Sequence, residues 1–160
     1  PASRTSVVGR KRELVEVKRA LSMTRLLTLT GAGGCGKTRL ALHVAAAMLD
    51  EYRGGVWFLE LGSISQPSAV PQALAAMLGL RESRGRSLLD QIISFLQEKR
   101  CLLLLDNCEH LIDACAAVGR DLLSACRSLQ ILTTSRQRLA IEGEATFHLG
   151  SLSLSAEPNS

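Results

Sequence analysis

The chain has 160 residues, and 46% of them are hydrophobic but only 3% aromatic, so we expect one domain with a sizeable aliphatic core. The formal net charge is +4, but the basic residues are dispersed and aromatic platforms for stacking on bases are almost lacking, which argues against direct nucleic-acid binding by this domain. No apolar run approaches the ~20 residues of a membrane span and no signal peptide opens the chain, so we expect a cytoplasmic protein without membrane contact.

The first predicted elements precede the first strand. Residues 1–6 are expected to form a flexible lead-in. A turn is predicted at Gly9, and Leu14, Val17 and Leu21 then have the spacing of a short amphipathic helix. We expect the domain itself to span residues 7–150 and to be followed by a tail over residues 151–160.

The stretch GAGGCGKT matches the phosphate-binding pattern G-x-x-x-x-G-K-[ST] of P-loop proteins. A strand is predicted before it (Leu26 to Thr30) and a helix after it (Arg39 to Leu49). The glycines let backbone N–H groups form a nest for an anion, and the N-terminus of the helix adds its own N–H groups. Lys37 is predicted to reach the β- and γ-phosphates and Thr38 to ligate Mg²⁺. The predicted nucleotide-binding residues here are Gly31, Gly33, Gly34, Cys35, Gly36, Lys37, Thr38 and Arg39.

Strands and helices alternate over the rest of the chain. Ser87 and Asp90 form a capping box that begins one of the helices. Further strands are predicted at 56–61, 101–106, 129–135 and 146–149, and further helices at 69–78, 88–99 and 111–126. This alternation predicts an α/β fold: a three-layer P-loop NTPase with a mostly parallel five-stranded sheet flanked by helices, and ligands at the carboxyl ends of the strands.

Asp106 follows the continuous aliphatic strand Leu102 to Leu105, where a Walker B aspartate would lie. A lone aspartate after a strand is usually a turn or cap residue, but beside a P-loop a role in holding Mg²⁺ with Thr38 is favoured. The next residue is Asn107, which can orient water but cannot accept a proton, so slow hydrolysis is expected. Glu109 is the nearest carboxylate; we interpret it as a structural residue of the following helix, with base catalysis as the alternative.

After the fourth strand, Thr133, Thr134 and Arg136 lie where a γ-phosphate sensor could reach. An arginine at that point would pair with phosphate oxygens. Arg138 competes with Arg136 for the role, and an exposed loop arginine is the plain alternative.

The five cysteines show neither a disulfide framework nor a zinc spacing, because their number is odd and no C-x-x-C pair occurs. Cys35 lies within the phosphate loop, where its thiol is open to oxidation, although a filler role is simpler. His43, His110 and His148 are interpreted as non-catalytic.

Four segments in order carry a resemblance: VVGRKREL, LTGAGGCGKTRLA, LLLLDNCEHL and ILTTSR. Together they resemble the nucleotide-binding domain of the STAND ATPases, relatives of NB-ARC and AAA+ proteins, and in particular the ATPase domain of bacterial transcriptional regulators of the LuxR and SARP-like type. The resemblance covers nearly the whole chain. It implies a sheet in which the sensor strand lies between the P-loop and Walker B strands. It also implies contacts from Val8, Gly9 and Arg10 to adenine, largely through backbone groups.

The resemblance implies an ATP/ADP switch with slow Mg²⁺-dependent hydrolysis, in which Lys37, Asp106, Asn107 and Arg136 act on the phosphates. Its implied partners are the helical and winged-helix domains of the same protein and, depending on nucleotide, further copies of it. The chain departs from NB-ARC proteins at Ser135, which separates the paired threonines from Arg136, and at Asn107, which replaces a second acidic residue. A small-molecule kinase is the alternative function, with residues 81–86 as its lid.

Overall fold

A computed structural model describes residues 2–150 of the chain, with side chains from Arg10 onward. The predicted tail lies outside the described residues, and the division into lead-in, domain and tail stays a prediction. The helices are α1 (Ala2–Ser22), α2 (Lys37–Ala47), α3 (Val70–Met77), α4 (Leu88–Leu96) and α5 (Ile112–Ala125). The strands are β1 (Leu26–Thr30), β2 (Gly55–Glu60), β3 (Cys101–Asp106), β4 (Gln130–Ser135) and β5 (Glu144–His148).

All five strands are parallel and lie in the order β2-β3-β4-β1-β5. The predicted fold class is therefore confirmed, and so is the implied position of the sensor strand β4 between β1 and β3. Because the strands are parallel, their carboxyl ends meet at one edge of the sheet. The P-loop, Asp106 and the segment after β4 are thereby gathered at that edge.

An aliphatic core lies on each face of the sheet. Alternate residues of β3 point to opposite sides, so Leu103 and Leu105 join the core under α3, α4 and α5, and Leu102 and Leu104 join the core under α1 and α2. Among the described residues, no helix combines the length and apolar character that crossing a bilayer requires.

Two local predictions are wrong. Gly9 lies inside α1 rather than at a turn; a glycine in a helix costs about 1 kcal/mol relative to alanine, and the buried contacts of Val17 and Leu21 stabilise the helix as a whole. Strand β5 begins at Glu144, two residues before the predicted start. A charged residue does not suggest a strand, but the Glu144 carboxylate accepts hydrogen bonds from the Thr28 hydroxyl and two backbone N–H groups.

A buried hydrogen-bonded chain joins Tyr52, which precedes β2, to β4 and α1. The Tyr52 hydroxyl donates to Gln130 Oε1 at 2.7 Å, and Gln130 Nε2 donates to the carbonyls of Leu21 and Thr24. Tyr52 is 3% exposed. Burial is the main reason that the pKa of Tyr52 is raised to about 12, with Arg100 opposing it.

Replacing Tyr52 by phenylalanine is expected to lower the free energy of unfolding at pH 7 by about 1–2 kcal/mol, because Gln130 Oε1 loses its donor in a buried place. Urea denaturation measures this. In the wild type, the pKa of Tyr52 in the folded state exceeds the ordinary value of 10.0. The neutral phenol therefore contributes fully to the free energy of unfolding below pH 10, and this contribution is lost as the pH rises through about 12.

Tyrosine absorbance supplies the check on this pH dependence. The chain contains a single tyrosine, so phenolate absorbance in the folded protein reports Tyr52 alone. Half-ionisation at the pH of free tyrosine, with the fold intact, would contradict the buried phenol.

Candidate functional site

The phosphate loop connects the end of β1 to the beginning of α2. Gly36 caps the helix with a φ of 96°, a left-handed conformation that favours glycine. A Cβ at Gly36 would also lie 2.5 Å from Arg10 Nη2. The loop therefore requires glycine at this position and leads into the helix N-terminus, where unpaired N–H groups can bind an anion.

Two basic side chains hold the loop in shape. Lys37 is only 7% exposed, and its Nζ donates to the carbonyls of Gly31 at 2.8 Å and Ala32 at 3.0 Å. The Arg10 guanidinium donates to the Cys35 carbonyl. The Lys37 ammonium thus lies across the loop with a third N–H to offer.

Asp106 is 1% exposed and lies at the end of β3. Its Oδ1 accepts hydrogen bonds from Thr38 Oγ1 at 2.7 Å and from Thr134 Oγ1 at 2.6 Å. The prediction that Asp106 and Thr38 lie together is confirmed by this contact. Thr134 in turn accepts from the Asn107 backbone N–H at 2.9 Å, so β4 helps to orient the carboxylate.

The donor atoms of this cluster fit Mg²⁺. One carboxylate and one hydroxyl are oxygen ligands, and Mg²⁺ in nucleotide sites takes its other ligands from waters and phosphates. Within residues 10–150, no group of three or more His, Cys, Asp or Glu side chains forms a metal site. The oxygen atoms of Asp106 and Thr38 suit a hard cation such as Mg²⁺.

Asn107 and Glu109 differ in what they face. Asn107 has a φ of 63°, and its Nδ2 donates to Glu60 Oε2 at 2.8 Å, so its amide is tied to the end of β2. Glu109 lines the cleft beside the phosphate loop, and its Oε1 is buried without a hydrogen-bond partner. The interpretation of Glu109 as part of the following helix is wrong, because α5 begins only at Ile112.

The segment after β4 contributes Arg136 to the site. Arg136 lines the same cleft, and a Cβ at Gly33 would lie 2.8 Å from its Nη2. Arg138 is exposed and is not among the cleft residues. The placement of Thr133 near the phosphates is wrong: its side chain alternates to the other face of the sheet and donates to Thr28 Oγ1 at 2.7 Å.

A cleft of about 1100 Å³ lies between α1, α2 and the ends of β3 and β4. Five of its side chains are basic and one is acidic, which favours a polyanion. The lining residues are Arg10, Lys11, Leu14, Gly33, Gly34, Cys35, Gly36, Lys37, Thr38, Arg39, Leu42, His43, Asn107, Glu109 and Arg136.

Sequence reasoning missed part of this wall. Leu14, Leu42 and His43 line it, and so does Lys11. The helical spacing of Arg39, Leu42 and His43 on one face of α2 is a signal that could have found two of them. Side chains are described only from Arg10 onward, so the adenine contacts of Val8, Gly9 and Arg10 stay a prediction.

All five cysteines are free and buried. Cys35 packs under the phosphate loop and belongs to the core beneath α2. Cys108, directly after Asn107, has a raised pKa because Cys115 hydrogen-bonds to it and because it is buried. A thiol held neutral in this way is a packing residue.

Comparisons with known proteins agree with this geometry. The model of the AAA domain family, AAA_22, matches residues 20–142. A candidate HTH-type transcriptional regulator of Mycobacterium tuberculosis is 44% identical over 137 residues, which make up 86% of this chain and 15% of that protein. The chain spans between 15% and 38% of the length of the mycobacterial relatives that it matches.

Two solved structures share the fold at 17% sequence identity. The Cdc6p structure from Pyrobaculum aerophilum has a TM-score of 0.63 and covers 86% of this chain and 45% of its own. A STAND protein with a tetratricopeptide repeat sensor from Pyrococcus horikoshii has a TM-score of 0.57, with 87% of this chain and 22% of its own covered. The family match, the regulator and these folds confirm the predicted resemblance to the STAND ATPase domain of bacterial transcriptional regulators.

Proposed function

Because the chain belongs to the AAA_22 family of AAA domains, we propose that it binds ATP and ADP and acts as a regulatory switch within a larger transcriptional regulator. The observation that supports this best is that Lys37, Thr38 and Arg136 line one basic cleft and that Asp106 is hydrogen-bonded to Thr38. These side chains come from three separate segments that only the folded sheet brings together. In this proposal the switch acts in the cytoplasm.

Each residue has a defined task in this proposal. The loop N–H groups and Lys37 would bind the β- and γ-phosphates, and Thr38 and Asp106 would hold Mg²⁺. The bound ion would neutralise charge that develops on the phosphates during hydrolysis. Asn107, next to Asp106, cannot take a proton from water, and slow turnover would keep the triphosphate state long-lived enough to carry a signal.

Arg136 would distinguish the two nucleotide states. It stands over the loop at Gly33, at the end of the strand that also carries Thr134. Pairing with the γ-phosphate would fix Arg136 and the segment that follows β4, and ADP would release them. The helical and winged-helix domains of the same protein are the partners that would respond, together with further copies of the protein.

The small-molecule kinase is less well supported. Its lid would be residues 81–86, but none of them lines the cleft. The Arg86 side chain instead donates to Ser94 Oγ and to the Asp90 carbonyl on its own side of the domain. Labelled ATP incubated with candidate acceptors tests this alternative, since phosphate transferred to an acceptor would contradict the switch.

A nucleotide titration tests the proposal directly. Calorimetry with ATP, ADP and GTP is done with and without Mg²⁺. We expect ATP and ADP to bind, ATP to gain from Mg²⁺, and GTP to bind at least about tenfold more weakly, a difference of about 1.4 kcal/mol. Absence of binding by ATP and ADP would refute the nucleotide site, and equal binding of GTP would refute the adenine preference.

Replacing Arg136 by alanine is expected to lower the affinity for ATP about tenfold and to leave that for ADP within about twofold. A charge-assisted hydrogen bond to the γ-phosphate is worth about 1.5 kcal/mol or more, and ADP lacks that group. The matched control is Arg138→Ala, which removes an exposed arginine two residues away. If Arg138→Ala has the larger effect on ATP, Arg136 is not the sensor.

A further inference from the structure

We propose that Glu109 is the catalytic carboxylate of this domain and takes the proton of the water that attacks the γ-phosphate. The inference rests on the proposed function, since it requires ATP in the cleft. It assigns the base to a residue three positions beyond Asp106.

The residue next to Asp106 does not fill this place. Asn107 is an amide and has no proton-accepting form under ordinary conditions. Its Nδ2 is committed to Glu60 Oε2 at 2.8 Å. Its left-handed backbone also redirects the chain away from the strand direction just after Asp106.

The turn that follows brings Glu109 to the cleft. The Cys108 N–H donates to the Thr134 carbonyl at 2.9 Å, and the Leu111 N–H donates to the Cys108 carbonyl at 2.8 Å. These bonds close a turn over residues 108–111 with Glu109 within it. The side chain then forms part of the same wall as Lys37, Thr38 and Arg136.

The Glu109 carboxylate has an unused acceptor. Its Oε1 is buried and has no hydrogen-bond partner, and leaving a buried acceptor unpaired is unfavourable. A donor within the cleft would satisfy it. A water placed between Glu109 and a bound γ-phosphate is such a donor, and it is the nucleophile that hydrolysis needs.

The reaction balances with ATP and water alone. The water oxygen forms a bond to the γ-phosphorus while the bond from that phosphorus to the β,γ-bridging oxygen breaks. One water proton passes to the Glu109 carboxylate, and the bridging oxygen leaves as part of ADP. The proton returns from Glu109 to solvent or to the departing phosphate, which restores the carboxylate.

The test compares Glu109→Gln with the unaltered chain. We expect the variant to bind ATP with Mg²⁺ within about twofold of the wild-type affinity, measured by calorimetry. Single-turnover hydrolysis should fall at least about 100-fold, the size typical of losing a general base. Nucleotide extracted after incubation with ATP and rapid desalting should be ADP from the wild type and ATP from the variant.

The matched control is Asp113→Asn, which removes an exposed carboxylate in the first turn of α5 and should leave hydrolysis unchanged. Hydrolysis by Glu109→Gln at the wild-type rate overturns the inference. It is also overturned if Glu60→Gln lowers the rate of hydrolysis about 100-fold and Glu109→Gln does not. Wild-type protein that binds ATP but never cleaves it also overturns the inference and leaves the nucleotide switch standing. Wild-type protein that binds no ATP refutes the proposed function itself.

Discussion

Replacing Lys37 by alanine is expected to lower the affinity for ATP by about 30- to 100-fold while the domain stays folded. Charge-assisted hydrogen bonds of this kind contribute about 2–3 kcal/mol, which corresponds to that range. The fold is expected to persist because the Lys37 ammonium donates to the carbonyls of Gly31 and Ala32 and both cores are built without it. Calorimetry measures the affinity, and circular dichroism reports the fold.

Arg53→Ala is the control for Lys37→Ala. Arg53 is an exposed cation that precedes β2, at the opposite end of the strands from the cleft. The Arg53→Ala substitution removes one positive charge, as Lys37→Ala does, so a loss of affinity caused only by net charge would appear in both variants. Unchanged ATP affinity in Lys37→Ala would remove the phosphate loop from the binding site.

Replacing Asp106 by asparagine is expected to abolish most of the gain in ATP affinity that Mg²⁺ provides, with metal-independent binding retained. The change removes the carboxylate that accepts a hydrogen bond from the Thr38 hydroxyl. The asparagine oxygen can still accept from Thr38 and Thr134, so the ends of β3 and β4 should keep their arrangement. Titrations of ATP with and without Mg²⁺ measure the difference.

Asp121→Asn is the matched control for Asp106→Asn, because Asp121 is an exposed carboxylate on α5. It should respond to Mg²⁺ as the wild type does. A full response to Mg²⁺ in Asp106→Asn would exclude Asp106 from the metal site. Unfolding of Asp106→Asn would instead show that the carboxylate is needed for the strand ends, and Asp106→Glu would then separate charge from geometry.

Much of the fold could be predicted because periodicity and motif spacing are local properties of the sequence. The run Leu102 to Leu105 predicted a strand covered on both faces, and all four leucines are buried. One half of the predicted capping box was also correct, with Ser87 Oγ accepting from the Asp90 N–H. The helix predicted at 111–126 was correct to within one residue at each end, since α5 spans Ile112–Ala125.

What could not be predicted depends on contacts between distant segments. Thr133 and Thr134 are neighbours, yet only the register of β4 against β1 and β3 decides which of them faces Asp106. The tie from Asn107 to Glu60 requires the pairing of β2 with β3, and 47 residues separate the two side chains. The position of Glu109 follows from the left-handed Asn107, which composition and periodicity do not reveal.

Two hydroxyl protons, from Thr38 and Thr134, converge on a single oxygen of Asp106, so the site can be loaded without breaking either bond. A hydroxyl oxygen carries two lone pairs, so Thr38 Oγ1 can serve as a ligand while its proton stays on Asp106, and Thr134 holds the carboxylate in place. Little of the pocket then has to be rebuilt when nucleotide arrives. Thr134 lies two residues before Arg136. The residue that fixes the Asp106 carboxylate is therefore directly connected to the arginine that would respond to the third phosphate.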